Sequence, residues 1–107
     1  MDITDKNFEE KVIEQSKEKV VVVDFWAPWC MPCQMLGPVI TKIVESYGDK
    51  VILAKLNVDE NPEKANEYHI NGIPAIKIFK DGKVVTEFTG MVPEPTIRGH
   101  IDKALEN

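Results

Sequence analysis

The chain has 107 residues and a formal net charge of -5, and 43% of its residues are hydrophobic. This length suits a single core, so we expect one domain over residues 1–107. The negative charge and the absence of a long lysine or arginine cluster argue against nucleic acid or an anionic membrane as a partner. No stretch has the apolar character of an export signal or the length of a membrane span, which favours the cytoplasm.

The N-terminal part of the chain predicts a short edge strand at Ile3, followed by a helix that Thr4 or Asp5 caps. A continuous β-branched run at residues 20–25 comes next and is typical of a central strand buried on both faces of a parallel sheet. Asp24 interrupts this apolar run. The apolar face of the preceding helix consists of Phe8, Val12 and Ile13.

The middle of the chain predicts a long helix from about Pro32, with a kink at Pro38 and a stop at Gly48. Residues 51–58 predict another buried strand, and residues 61–68 predict a short helix with Asn61 as its cap. Strand, helix, strand and helix in this order favour parallel pairing of the strands. The apolar positions of the long helix are Leu36, Val39, Ile40, Ile43, Val44 and Tyr47.

The C-terminal third changes to an antiparallel pattern. Residues 75–80 and 83–88 flank Asp81 and Gly82, a two-residue signal for a hairpin turn. Residues 95–105 predict a closing helix. The sequence therefore predicts an α/β fold whose central mixed sheet combines parallel strands with an antiparallel C-terminal hairpin, flanked by helices on both faces.

Cys30 and Cys33 are the only cysteines, and they lie between a predicted strand and a predicted helix. A helix start carries unpaired N–H groups and the positive end of the helix dipole, which favour a thiolate over a thiol. Cys30 is therefore the expected nucleophile. Pro32 fits the first helical turn because no N–H donor is needed there.

The cysteine pair has two other interpretations. A structural zinc ion usually needs four Cys or His ligands, and the chain adds only His69 and His100, so we expect no metal site. A purely structural disulfide would close a loop too short to constrain much of the unfolded chain. Redox chemistry is the favoured interpretation.

A set of short motifs extends along nearly the whole sequence. It comprises residues 23–27, Trp29, Cys30, Pro32, Cys33, Pro38, residues 55–59, Gly72, Ile73, Pro74, Phe79, Gly82 and Gly90. Together these motifs resemble the thioredoxin family. The resemblance implies the thioredoxin fold and reduction of protein disulfides by a monomer with no cofactor beyond the redox-active disulfide. It also implies re-reduction by a thioredoxin reductase, and substrates such as peroxiredoxins or reductases.

In the mechanism that we expect, the Cys30 thiolate attacks a substrate disulfide and Cys33 resolves the mixed disulfide. The resemblance gives Asp24 the role of general acid/base, with Lys55 on the adjacent strand as its charge partner. Burial would raise the pKa of Asp24 and suit it to proton exchange near neutrality. From the residues alone, a cap or turn role for this aspartate stays open.

Pro74 precedes a predicted strand, where a trans bond is the default from the residues alone. The resemblance implies instead a cis Ile73–Pro74 bond packed against the cysteine pair. Ile73 then presents its backbone to a substrate strand. We expect an apolar rim for partner docking around the pair, formed by Trp29, Met31, Pro32, Gly72, Ile73, Gly90 and Met91.

The sequence departs from the family between the cysteines, where Met31-Pro32 replaces the usual Gly-Pro. Met31 either tunes the redox potential and the recognised surface or is a tolerated loop substitution. Two functions therefore stay open beside the protein-disulfide reductase. One is a disulfide oxidant or isomerase, and the other is a redox-dependent protein-docking module.

Overall fold

The β-branched run near residue 20 forms the central strand of a five-stranded sheet. A computed structural model describes all of residues 1–107. The strands are β1 (Asp2–Ile3), β2 (Val20–Trp26), β3 (Val51–Asn57), β4 (Ala75–Lys80) and β5 (Lys83–Thr89). The α-helices are α1 (Met31–Glu45), α2 (Pro62–Glu67) and α3 (Glu94–Glu106). A π-helical segment (Glu9–Glu14) and two 3₁₀ turns (Gln15–Lys17 and Gly48–Lys50) complete the helical elements.

The strands lie across the sheet in the order β1, β3, β2, β4, β5. Strand β2 is parallel to β3 and antiparallel to β4, and β5 pairs antiparallel with β4. Asp81 and Gly82 turn the hairpin with φ angles of 53° and 83°, the left-handed conformations that this type of two-residue turn requires. The mixed sheet with its antiparallel C-terminal hairpin is confirmed.

Strand β2 is buried on both faces because helical segments cover both sides of the sheet. On one face, Val20 and Val22 join a core with residues of α1 and α3, including Leu36, Ile40, Ile97 and Ile101. On the other face, Val21 and Val23 join a second core that includes Phe8, Val12, Phe25, Leu56 and Phe79. Successive side chains of a strand point to opposite faces, so two buried faces require an uninterrupted apolar run.

Asn61 occupies the N-cap position of α2 and Pro62 begins the helix, as predicted, but the capping hydrogen bonds come from another residue. The side chain of Asn61 makes no capping hydrogen bond to this helix. The carboxylate of Asp5 instead accepts hydrogen bonds from the N–H groups of Glu63 and Lys64, at 3.2 and 2.9 Å. The Asn61 side chain accepts a hydrogen bond from the N–H of Asp5 at 2.9 Å. The cap therefore comes from a segment far away in the sequence, which no local pattern indicates.

The long helix α1 ends at Glu45, before the predicted stop at Gly48. The hydroxyl of Ser46 donates to the carbonyl oxygen of Ile43 at 2.6 Å, and such a local bond competes with continuation of the helix. Val39 is 37% exposed, so it is not one of the inward residues of α1. It lies at the border of the buried stripe that Leu36, Ile40, Ile43 and Val44 form.

The Asp5 cap leads to a stability prediction. Asp5→Ala removes the acceptor of two N–H groups at the start of α2 and should lower the free energy of unfolding by about 1 kcal/mol. Urea denaturation of the disulfide form measures this change. Glu10→Ala is the matched control, because this exposed carboxylate makes no hydrogen bond or ion pair. Equal stabilities of the two variants would contradict the cap assignment.

Candidate active site

The cysteine pair lies where β2 passes through a short loop into α1. Cys30 is the N-cap residue of α1, and Pro32 occupies its first turn. The N–H of Cys33 donates to the Sγ atom of Cys30 at 3.2 Å. The two sulfurs are joined as a disulfide whose Cα atoms lie 5.3 Å apart. The strand, loop and helix predicted around the pair are therefore all present.

The two sulfurs have different surroundings, although both cysteines are largely buried. Cys30 lies at the positive end of the α1 dipole and accepts the N–H of Cys33, and both interactions stabilise a thiolate. Cys33 lines a cleft that also contains Asp24. The site can therefore supply a stabilised nucleophile at Cys30 and a second thiol close to a carboxyl group.

The loop before β4 contacts the disulfide. The Ile73–Pro74 peptide bond is cis, and the carbonyl oxygen of Ile73 lies 3.8 Å from the Sγ atom of Cys30. The N–H of Gly90 donates to the carbonyl oxygen of Pro74 at 2.8 Å, which connects the loop after β5 to the same place. Gly90 has a φ of 82°, a conformation that residues with a side chain rarely adopt.

Asp24 is a charged residue in the otherwise apolar strand β2, and it is 1% exposed. Neither of its carboxylate oxygens has a hydrogen-bond partner in the protein. Burial raises its pKa from 3.8 to about 6, and the positive charge of Lys55 opposes this rise. Lys55 is the register partner of Asp24 on β3, and its Nζ atom lies 5.7 Å from the centre of the Trp26 ring.

An open cleft of about 600 Å³ brings this carboxyl group and the second cysteine together. Asp24, Cys33 and Lys55 all line it, and Gly37 of α1 faces Lys55 across it. A Cβ atom added at Gly37 would lie 3.4 Å from the Nζ atom of Lys55, an ordinary contact distance, so this position of α1 lies directly beside the lysine head group. Gly37 was not predicted as a site residue, since only the packing of α1 against β3 reveals its place.

Around the disulfide, several apolar side chains are open to solvent. Trp29, Met31 and Met91 are 70%, 66% and 47% exposed, and the neighbouring Gly72 is also exposed. Ile73 is partly buried and packs against the cysteine pair. Of the predicted rim residues, Ile73 contacts the pair, Met31 and Pro32 lie between the cysteines, and Trp29 directly precedes them.

The orientation of Trp29 depends on a residue that the sequence did not identify. Its Nε1 atom donates to the Oδ2 atom of Asp59 at 2.9 Å. The sequence places Asp59 only within the motif at residues 55–59 and gives its side chain no partner. Its place immediately after the β3 region, whose strand runs parallel to β2, is the signal that could have revealed this contact.

An apolar groove of about 450 Å³ extends from Trp29 toward α2. Val58 lines the groove and also packs against the cysteine pair, and it is a second residue that the prediction missed. The other lining residues are Pro62, Ala65, Asn66, Ile70, Asn71, Gly72 and Ile73. The groove places apolar surface directly beside the exposed edge of the disulfide loop.

No three His, Cys, Asp or Glu side chains come together in a group that could hold a metal ion. In addition, no helix has both the length and the apolar character that crossing a membrane requires. The chemical groups that this site brings together are thus a disulfide, a buried carboxyl group, a lysine and an apolar rim.

Comparison with known proteins agrees with this geometry. The family model described as thioredoxin matches residues 1–103. The chain is 49% identical over 102 residues to a thioredoxin of Chlorobaculum thiosulfatiphilum, which covers 95% of this chain and 93% of that protein. It is 47% identical over 103 residues to thioredoxin 1 of Synechococcus elongatus, covering 96% and 94% of the two chains. An M-type chloroplastic thioredoxin of Chlamydomonas reinhardtii is 45% identical over 96% of this chain and 72% of its own.

A cysteine pair at the start of a helix, on a mixed sheet of this topology, defines a thiol-disulfide oxidoreductase. The match over residues 1–103 and the similarity to curated thioredoxins identify it further. The chain belongs to the thioredoxin family, whose members are protein-disulfide reductases.

The buried carboxyl group of Asp24 should make stability depend on pH. Because its pKa is about 6 in the folded protein and 3.8 when solvated, the folded state binds the proton more tightly. The free energy of unfolding therefore falls as pH rises between these two values. Asp24→Asn should raise the free energy of unfolding by about 1 to 3 kcal/mol at a pH of about 7.5, and the gain should shrink below a pH of about 4.

Urea denaturation of the disulfide form at both pH values measures this dependence. Asp49→Asn, at an exposed position, is the control for removing one negative charge. A gain for Asp24→Asn that stays the same at both pH values would contradict the role of burial.

Proposed function

We propose that this protein is an electron carrier that reduces disulfides of other proteins and is itself re-reduced by a thioredoxin reductase. The observation that carries the proposal is the position of the Cys30 sulfur. It lies at the N-terminus of α1 and 3.8 Å from the carbonyl oxygen of Ile73, at the edge of an apolar rim. A substrate disulfide that docks on this rim meets the sulfur that is most easily ionised.

In the first step, the Cys30 thiolate attacks one sulfur of the substrate disulfide. A mixed disulfide forms, and the other substrate sulfur leaves as a thiolate. The Cys33 thiol then loses its proton and attacks the Cys30 sulfur. The second substrate sulfur leaves, and the Cys30–Cys33 disulfide forms, so that two electrons pass from this protein to its substrate.

We assign the proton transfer at Cys33 to Asp24. Its pKa of about 6 makes it mostly a carboxylate at neutral pH, so it can accept a proton, and the value is close enough to neutrality for it to return one. The cleft that contains Asp24 and Cys33 provides the route between them. Lys55, the third charged group of this arrangement, keeps the pKa of Asp24 from rising further.

Substrate recognition in this proposal combines backbone and apolar contacts. Ile73, held before the cis bond to Pro74, offers its main chain to an extended substrate segment, as in strand addition. The other residues of the apolar rim then contact the substrate residues on either side of its disulfide. These rim residues are Trp29, Met31, Pro32, Gly72, Gly90 and Met91. Such contacts demand little of the substrate sequence, which suits a general reductant of proteins such as peroxiredoxins or reductases.

We further propose that residues 1–107 work as one domain and as a monomer, with the disulfide as the only redox group. A cytoplasmic location is part of the proposal, because the reducing cytosol keeps such a pair in use for catalysis. One relative carries a chloroplastic designation, so the same fold also works in another compartment.

Replacing the resolving cysteine tests the reductase mechanism directly. Cys33→Ser should leave the attack by Cys30 intact but prevent release, so substrate proteins should accumulate as mixed disulfides on Cys30. Non-reducing gel electrophoresis with mass spectrometry detects these adducts, and a thiol reductant should cleave their mixed disulfides. Cys30→Ser is the matched control and should trap nothing. Equal, reductant-resistant binding by a double serine variant would favour the redox-dependent docking module instead.

The reduction potential of the Cys30–Cys33 pair tests the alternative of a disulfide oxidant or isomerase. Equilibration against a thiol-disulfide buffer should give a value near the -270 mV typical of a general thioredoxin-type reductant. Met31→Gly, which restores the usual residue, should shift it by less than about 30 mV, corresponding to roughly 1.4 kcal/mol. A much more oxidising value that reverts with glycine would overturn the reductase assignment.

A further inference from the structure

None of the four methionines lies in the hydrophobic core. Met1, Met31, Met35 and Met91 are 48%, 66%, 58% and 47% exposed, while the core consists mainly of Val, Ile, Leu and Phe. Methionine is among the residues most often buried, since its flexible thioether fills gaps between other side chains. Core packing therefore does not explain why methionine occupies these positions.

Two of these methionines lie on the exposed face of the first turns of α1. Met31 is the first residue of the helix, between the two cysteines, and Met35 follows one turn later. Residues four positions apart share one face of a helix. A long helical side chain also leans toward the helix N-terminus, so Met35 covers the turn that begins at Met31.

Met91 approaches the same disulfide from a different part of the fold. The N–H of Gly90 donates to the carbonyl oxygen of Pro74, and the adjacent carbonyl oxygen of Ile73 lies 3.8 Å from the Sγ atom of Cys30. Met91 is the residue after Gly90, so these contacts hold it at the margin of the site. Three exposed methionines thus lie on the segments that contain or contact the disulfide, which is itself largely buried.

We propose that Met31, Met35 and Met91, here called the methionine rim, are a modification site for hydrogen peroxide. In this reaction the thioether sulfur takes one oxygen from the peroxide. The S–O bond forms and the O–O bond breaks. The sulfur loses two electrons to the peroxide, and the remaining oxygen leaves as water.

Oxidation of the methionine rim weakens the docking of protein substrates. A sulfoxide is polar and holds water, and a substrate that covers it has to remove that water without offering a matched donor. The Cys30–Cys33 pair and its carboxyl group keep their chemistry, because the modified atoms lie outside the disulfide. We expect KM for a protein disulfide to rise about tenfold while kcat is retained. This inference rests on the proposed docking function of the apolar rim, to which Met31 and Met91 belong and which Met35 extends along α1.

The test begins with the disulfide form, in which the cysteines are protected from peroxide. After treatment with hydrogen peroxide, peptide mass spectrometry should find one added oxygen on each rim methionine. Met1, at the edge strand β1, is the internal standard for an exposed methionine away from the disulfide loop. The disulfide is then reduced, and the rates of reduction of insulin and of a small aromatic disulfide are measured. Insulin needs the docking surface, whereas the small disulfide reports only on the cysteine pair. We expect the insulin KM to rise and the rate with the small disulfide to stay the same.

A variant with Met31→Leu, Met35→Leu and Met91→Leu is the control, and each protein is compared with its own untreated sample. Peroxide should leave the insulin KM of this variant unchanged. Three results overturn the inference: oxygen on Met1 but not on the rim, an unchanged KM in the fully oxidised native protein, or an equal loss in the triple variant. If the untreated native protein fails to reduce insulin, the proposed function itself fails, and this inference falls with it.

Discussion

The burial of strand β2 on both faces is the constraint on which the site depends. Because cores form on both sides, this strand is fixed in register between β3 and β4. Its register pairs Asp24 with Lys55 and Phe25 with Ala75, the first residue of β4. Because Ala75 pairs with Phe25, the loop that contains Ile73 and Pro74 lies beside the cysteine pair that follows β2. The pairing of β2 with β4 is enough to position this loop. The geometry of the redox site follows from strand pairing.

The same burial also places the carboxyl group of Asp24 out of contact with water, which lowers the stability of the fold and raises the pKa of the group. A carboxyl group without hydrogen-bond partners opposes folding once it is ionised, and the positive charge of Lys55 offsets only part of this effect. In exchange, the group titrates close to neutral pH, which a solvated aspartate does not do. The loss of stability and the raised pKa of Asp24, which the proposed proton transfer uses, thus have one physical cause, desolvation.

The surface around the disulfide combines fixed and adaptable parts. Trp29 is oriented by its hydrogen bond to Asp59, and the loop at Pro74 is held by the N–H of Gly90. The exposed methionine side chains, in contrast, are unbranched and end in flexible thioethers, which suits the proposed contact with different partner surfaces. The fixed loop at Pro74 can align a substrate segment, and the flexible methionine side chains can contact its variable side chains. This combination is compatible with recognition of many partners. In our proposal the same thioethers are also the site of oxidation by peroxide.

The sequence by itself determined the strand and helix order, the hairpin at Asp81 and Gly82, and the position of Cys30 at a helix start, because hydrophobic periodicity, turn chemistry and helix-start signals are local. The resemblance to thioredoxins added the expectation of a cis bond at Pro74 and of a charge partner for Asp24. Only the tertiary structure decided that Asp5 caps α2, that Asp59 orients Trp29 and that Gly37 lies beside the Lys55 head group. Each of these contacts joins segments distant in the chain, and their positions depend on how strands and helices pack, which no local pattern encodes.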